Sequence, residues 1–296
     1  MPRRTQIALA FAAVYIVWGS TYLAILYAIQ TLPPMLMAGA RFIIAGSIVH
    51  VFARRRGAPP PERRHWIPAT IIGGLMLLMG NGGVVLAERT VPSGLTALIV
   101  ASVPLWVALF GALGEHGRLP RGRRALALIA GFGGVALLVS DHGFAGGELG
   151  GMVLVIIASA SWAAGSLYSR TATRPADPFM STSLQMLCGG GLLLLAGTLS
   201  GEWGALHLDH VSAASVAAVV YLILFGSLIG FTAYAWLLQT VSPTMAATYA
   251  YVNPVVAMLL GWIFAGEQLS LNTLIGAAII VASVVLITTS REPARH

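Results

Sequence analysis

The chain has 296 residues, 57% of them hydrophobic and only 9% charged, whereas a soluble domain carries about 25% charged residues. With a mean hydropathy of +0.83 there is too little polar surface to cover a water-soluble globule, which excludes a typical soluble enzyme, a disordered chain and a nucleic-acid binder. The formal charge of +7 comes from 17 basic residues that are all Arg, and their placement follows membrane orientation rather than a nucleic-acid partner.

A membrane-crossing helix needs about 20 apolar residues. Such stretches fall at 7–28, 34–53, 67–87, 94–113 and 125–140, then at 151–170, 180–200, 213–237, 244–265 and 272–290. In the first, Arg3 and Arg4 precede the apolar run as in a signal peptide. The run is too long for a typical h-region, however, and continues into Trp18-Gly19-Ser20-Thr21-Tyr22 with no clear cleavage site, so it reads as a span. The second holds Arg41. The third ends in Gly80-Asn81-Gly82 and Ala87-Glu88, and the fourth carries Pro104 about ten residues in. The fifth is short and is expected to start as early as Leu119. The sixth contains Trp162, Ser166 and Tyr168. The seventh contains Gln185, the single Cys188 and Gly189-Gly190-Gly191. Gly226 and Gly230 lie in the eighth, and Tyr249, Tyr251, Asn253 and Pro254 in the ninth. All are continuously apolar for about twice the length of a barrel strand and lack its alternation, so the predicted fold is an all-α polytopic membrane protein. One thiol makes no internal disulfide and no metal site, and no cofactor is expected.

With the N-terminus in the cytoplasm, ten spans place 15 of the 17 arginines on the inner side, with Arg89 outside and Arg41 within a span. Glu88, Asp141, Glu148, Glu202, Asp209 and Glu267 then fall outside. This is the arginine bias that the positive-inside rule requires, and it puts both termini in the cytoplasm.

The chain also repeats itself. Thr90-Val91-Pro92-Ser93 matches Thr240-Val241-Ser242-Pro243, Pro104 matches Pro254 and Gly111 matches Gly261, all at an offset of 150. Gly19-Ser20-Thr21-Tyr22 resembles Gly165-Ser166-Leu167-Tyr168 at an offset of 146. The expected domains are therefore 7–140 and 151–290, each of five helices. Five is odd, so the second repeat enters the membrane inverted, a common construction of secondary transporters.

Together with the ten-span layout, several motifs identify the chain as resembling the drug/metabolite transporter superfamily, in its ten-helix bacterial branch with two EamA repeats. These are Trp18-Gly19-Ser20, Ala38-Gly39-Ala40-Arg41-Phe42, Gly80-Asn81-Gly82 through Ala87-Glu88, Val91-Pro92-Ser93-Gly94-Leu95 to Pro104, and Gly266-Glu267 with Gly276. The resemblance implies efflux or exchange of small metabolites, often amino acids, or of toxic compounds, across a bacterial inner membrane. The plant sugar-phosphate members resemble it in fold but rely on lysines, and this chain has none.

Paired interrupted helices mark transporter sites. Pro104 and Pro254 each lie roughly 15 Å deep by helical rise and free the carbonyls of Val100 and Ala250, the latter expected to be satisfied locally by Asn253. By the same arithmetic Ser20, Thr21, Tyr22, Arg41 and Asn81 form an outer polar shell, and Ser166, Tyr168, Gln185 and Tyr249 an inner one. A central cavity is expected near Trp18, Trp162, Tyr251 and Asn253, gated by these shells. Arg41 has two readings: a fork that anchors a substrate carboxylate, or an ion pair with Glu88. The glycines of the seventh and eighth spans are expected to permit close helix approach. The absence of a carboxylate near the midplane favours facilitated efflux or exchange over obligatory proton antiport. Broad-specificity drug efflux is the alternative reading and a channel a weaker one, since no ring of acids is visible. Intramembrane hydrolysis lacks its Ser–His, paired-Asp or zinc-helix constellation. A monomer and a dimer are equally compatible with the sequence.

Overall fold

The computed structural model describes residues 3–113, 122–141, 147–241, 243–246, 248–268 and 270–289. Within these, ten helical rods cross one another in up-and-down order. They are α1 Arg3–Ala28, α2 Pro34–Arg55, α3 Arg63–Ala87, α4 Ser93–Leu113, α5 Arg123–Asp141, α6 Gly147–Thr171, α7 Pro178–Leu199, α8 Ala213–Thr240, α9 Pro243–Ala246 with Tyr249–Ala265, and α10 Leu271–Thr289. Seven are long and apolar enough to cross a membrane by length and composition, and apolar cores of α5, α9 and α10 account for the other three. Each helix stands within a few residues of the stretch expected for it. The proposed early start of the fifth span, at Leu119, lies outside the described residues; its described helix opens at Arg123. Ten crossings put the start of α1 and the end of α10 on one face, called here the N-terminal face.

The helix surfaces are lipid-soluble. Ile67 is 71% exposed and Leu199 79%, while Ser93, Thr96, Ser183 and Ser215 are fully buried. Water-driven burial does not explain this inside-out pattern. Association in lipid relies on close packing and on internal satisfaction of polar groups, and glycines provide the close packing.

Between α2 and α7 the packing is two-fold. A Cβ on Gly39 would stand 2.7 Å from the Leu194 side chain, and one on Gly190 would stand 2.9 Å from the Ile43 nitrogen. One on Gly46 would meet Met186 and Leu187, and one on Gly197 would meet Leu36. Each contact maps onto the other when about 151 residues are added, so the two helices cross on a pseudo-two-fold axis. Gly191, by contrast, has nothing within 4 Å and faces away. α5 packs against α10 as a second symmetric pair.

Both halves depart from the α-helix at matching places. In α3 residues Gly74–Gly82 form a π-helical stretch, and in α8 so do Leu222–Phe231. π-Helical turns are rare and concentrate at functional sites. The freed carbonyls need donors, because lipid supplies none. Ser161 Oγ on α6 donates to the Leu75 carbonyl at 2.8 Å, and Trp18 Nε1 on α1 donates to the Gly226 carbonyl at 3.1 Å. Gly226 and Leu75 are again 151 residues apart.

The prolines behave unequally. α4 breaks at Ala101–Ser102, just before Pro104. Pro254 sits inside the unbroken segment Tyr249–Ala265, and α9 is interrupted earlier, at Thr248. Asn253 is buried, yet neither its Oδ1 nor its Nδ2 has a hydrogen-bond partner. The expected local rescue of the Ala250 carbonyl by Asn253 is therefore not formed.

Candidate functional site

A chamber of about 70 Å³ lies between α1, α2, α3, α4, α6, α8 and α9. A single water needs roughly 10–15 Å³, so this is room for several. Its polar lining comes from Thr21, Tyr22, Arg41, Asn81, Ser159 and Tyr249. The apolar lining includes Trp18, Trp162, Phe42 and Phe231.

Arg41 dominates the electrostatics. It is 3% exposed and enters from α2, one helical position before Phe42, whose ring centroid is 4.5 Å from the guanidinium carbon. Nε donates to Ser227 Oγ at 2.7 Å, on the π-helical stretch of α8. Gly226 beside it keeps the guanidinium close, since a Cβ there would come within 3.3 Å of Nη2. Nη1 is buried without a partner, and so is Asn81 Oδ1, on another helix of the chamber lining. The expected alternative, an ion pair with Glu88, does not form. Among the described residues the ion pairs are Arg64–Glu62 and His210–Asp209, both at the surface. A guanidinium held by one hydroxyl leaves most of its five donors available to an anion.

Aromatic rings close the chamber toward the N-terminal face. Trp18 lies 5.5 Å from Trp162, 4.9 Å from Tyr234 and 5.4 Å from Tyr249, centroid to centroid. Tyr234 contacts Trp162 and Tyr249 in turn. Its hydroxyl accepts from Trp162 Nε1 at 3.3 Å and pairs with Ser166 Oγ at 3.1 Å. The two tryptophans occupy corresponding places, at an offset of 144 rather than the 146 that Gly19 and Gly165 suggest for these helices. Trp18 packs on Gly230 and Trp162 on Gly80, glycines at the 150-residue offset. The next residues along, Asn81 and Phe231, both line the chamber.

Of the thirteen candidates from sequence, Trp18, Tyr22, Arg41, Asn81, Trp162 and Tyr249 meet at the chamber. Ser20 instead bonds the Tyr221 hydroxyl and the Val17 carbonyl. Gln185 is buried between helices and donates to Ser181 Oγ at 3.3 Å. Tyr168 packs against the apolar core beside the chamber. Pro104, Asn253 and Pro254 lie outside the lining, although Val100 and Val103 at the α4 break belong to it. Tyr251 falls in α9, but its side chain is outside the described residues. The expected two shells around a midplane void are thus one polar wall and one aromatic floor. Phe42, Ser159, Gly226, Ser227 and Phe231 were missed. The α8 residues carried one signal, the match of Gly230-Phe231 to Gly80-Asn81 at the repeat offset.

On the face opposite the termini, two carboxylates from the second half cap helices of the first. Glu267 accepts from Ser93 N at 2.7 Å, Ser93 Oγ at 2.6 Å and Gly94 N at 2.9 Å, at the start of α4. Glu202 accepts from Met35 N and Leu36 N at the start of α2. Anions belong at helix N-termini, where unpaired N–H groups and the helix dipole converge.

The model of the EamA-like transporter family matches this chain twice, over residues 5–140 and 149–289. The chain is 40% identical over 284 residues to the "uncharacterized inner membrane transporter YedA" of Escherichia coli (strain K12), covering 95% of this chain and 90% of that protein. It is 27% identical over 294 residues to the "uncharacterized transporter YvbV" of Bacillus subtilis (strain 168), covering 98% and 93%. It is 28% identical over 273 residues to the protein PecM of Dickeya dadantii (strain 3937), covering 92% and 88%. A crystal structure at 21% identity superimposes with a TM-score of 0.66 over 96% of this chain and 97% of that one, which shows a shared fold.

Proposed function

Since this chain belongs to the EamA-like transporter family, we propose that it exports or exchanges small carboxylate-bearing metabolites, amino acids or related compounds, by alternating access around the chamber. The observation that carries this reading is Arg41: a buried guanidinium on the chamber wall whose Nη1 has no protein partner. An intramembrane arginine is costly and is kept where it serves a pathway or a partner. Here the partner is the substrate, whose carboxylate takes the free fork. Asn81, with an unpaired Oδ1, receives the ammonium or another donor, and Phe42, Trp18 and Trp162 receive the apolar part. The repeat units are 7–140 and 151–290, and both termini are cytoplasmic. The aromatic floor then seals the cytoplasmic side, and tilting one repeat against the other opens the floor while closing the wall.

Drug-sized pockets run to roughly 300–1,000 Å³, well above this chamber of about 70 Å³, which supports small metabolites over broad drug efflux. The test is counterflow in proteoliposomes with a panel of the twenty L-amino acids and their carboxamides. Saturable exchange of at least one acid, with its amide inert, is expected. Uptake of amides and acids alike, or non-saturating flux, overturns the reading.

A further inference from the structure

Glu88 is 3% exposed, and neither carboxylate oxygen has a hydrogen-bond partner. It follows the last residue of α3, so a purely sequence-based view places it in an outer connection. The structure turns it inward: its N–H bonds the Val84 carbonyl at 3.0 Å, carrying the helical ladder one residue past Ala87. Asn81, Val84 and Glu88 stand at i, i+3 and i+7, the spacing of one helix face. Asn81 and Val84 both line the chamber. By helical rise Glu88 stands about 6 Å beyond Val84 along that face, at the end away from the aromatic floor.

Among the described residues no cation pairs with Glu88 and no donor bonds its carboxylate. The ionisable groups that feel its charge are Tyr22 on α1 and Glu267 after α9. Glu267 is already committed to the N-terminus of α4. From α2, Arg41 forms no ion pair with it and bonds Ser227 instead, and the neighbouring Arg89 is exposed. A buried carboxylate without donors or a counter-ion is costly as an anion, and taking up one proton removes that cost. Opening this end of the chamber to water reverses the preference. A group whose charge depends on which way the chamber faces couples proton movement to that motion.

We infer that Glu88 is a proton-binding site, carrying one proton as a neutral carboxylic acid when the chamber's outer end is closed and releasing it when that end hydrates. This rests on the alternating-access reading above and adds to exchange a proton-linked mode, which the lack of a midplane carboxylate had argued against. The balance is simple: carboxylate plus proton gives carboxylic acid, with no other bond changed.

The test uses the full chain in liposomes loaded with a pH-sensitive dye and given a gradient of the mixed twenty L-amino acids. Wild type is expected to move protons with the gradient. Glu88→Gln is expected to lose this at least about tenfold while retaining counterflow within about twofold, and Glu88→Asp to keep part of it. Counterflow without proton movement in wild type, proton movement undiminished in Glu88→Gln, or drive by a sodium gradient alone would each overturn the proton site and leave the transport reading standing. A second measurement needs neither transport nor the variants. A protonated carboxyl in apolar surroundings adds across the C=N bond of dicyclohexylcarbodiimide, ending as a stable N-acylurea, so mass spectrometry should find this adduct on Glu88 in wild type, declining as pH rises. Labelling confined to other carboxylates, or independent of pH, counts against the proposal.

Discussion

Replacing Arg41 with lysine keeps the positive charge but removes the planar fork, and this separates a substrate anchor from a merely structural cation. The guanidinium spends Nε on Ser227 at 2.7 Å and leaves Nη1 unpaired. If a carboxylate completes it, truncation to alanine removes one partner of a buried charge pair, a loss of roughly 2–5 kcal/mol. At 1.4 kcal/mol per tenfold, KM then rises from about 30-fold to beyond measurement. Arg41→Lys retains the charge and loses about one charge-assisted hydrogen bond, roughly 1.5–3 kcal/mol, so KM should rise about 10- to 100-fold. Ser227→Ala, which only releases Nε, should have a smaller effect of the same sign. The assay is counterflow KM for the best amino acid of the panel, with thermal unfolding in detergent to confirm that each variant is folded. An Arg41→Lys protein that is folded and has KM within about twofold of wild type would refute the anchoring argument.

Gly190→Leu should destabilise by about 1–3 kcal/mol through overpacking, because even a Cβ there stands 2.9 Å from the Ile43 nitrogen. Gly191→Ala, in open space, should be neutral, and equal unfolding midpoints for the pair would contradict the two-fold crossing of α2 and α7. Glu267→Gln keeps one acceptor for three donors and loses the charge at the α4 N-terminus. Its cost of about 1 kcal/mol should lower the thermal midpoint by roughly 2–4 °C, and an unchanged midpoint would mean that the cap contributes nothing. Single cysteines placed at Arg3 and at Thr289 in a Cys188→Ala background should both be labelled only from the cytoplasmic side. Labelling from opposite sides would break the ten-span parity and the inverted repeat together.

The number, order and approximate limits of the ten helices followed from the sequence, because hydropathy is a local sum and lipid imposes one length on every crossing. The repeat was legible from its offset, and Arg41 stood out because a cation in hydrocarbon is conspicuous wherever it points. Only the tertiary structure decided what these residues meet. A π-helical stretch leaves no signature in an apolar run such as Leu222–Phe231, since it widens the hydrogen-bond ladder without changing composition. Within that stretch Gly226 and Ser227 face Arg41. Gln185 bonds Ser181 on its own helix and Ser20 bonds Tyr221 on α8, both outside the chamber lining, although helical depth had assigned them to the shells flanking it. Depth along a helix follows from counting residues; direction around it depends on which neighbouring helix comes close. Those approaches are set by glycines such as Gly39 and Gly190 acting in pairs about 150 residues apart. Glu88 is the clearest instance. Its N–H still bonds the Val84 carbonyl, so the helix carries it one residue past Ala87 and makes it a buried acid rather than a solvated end residue.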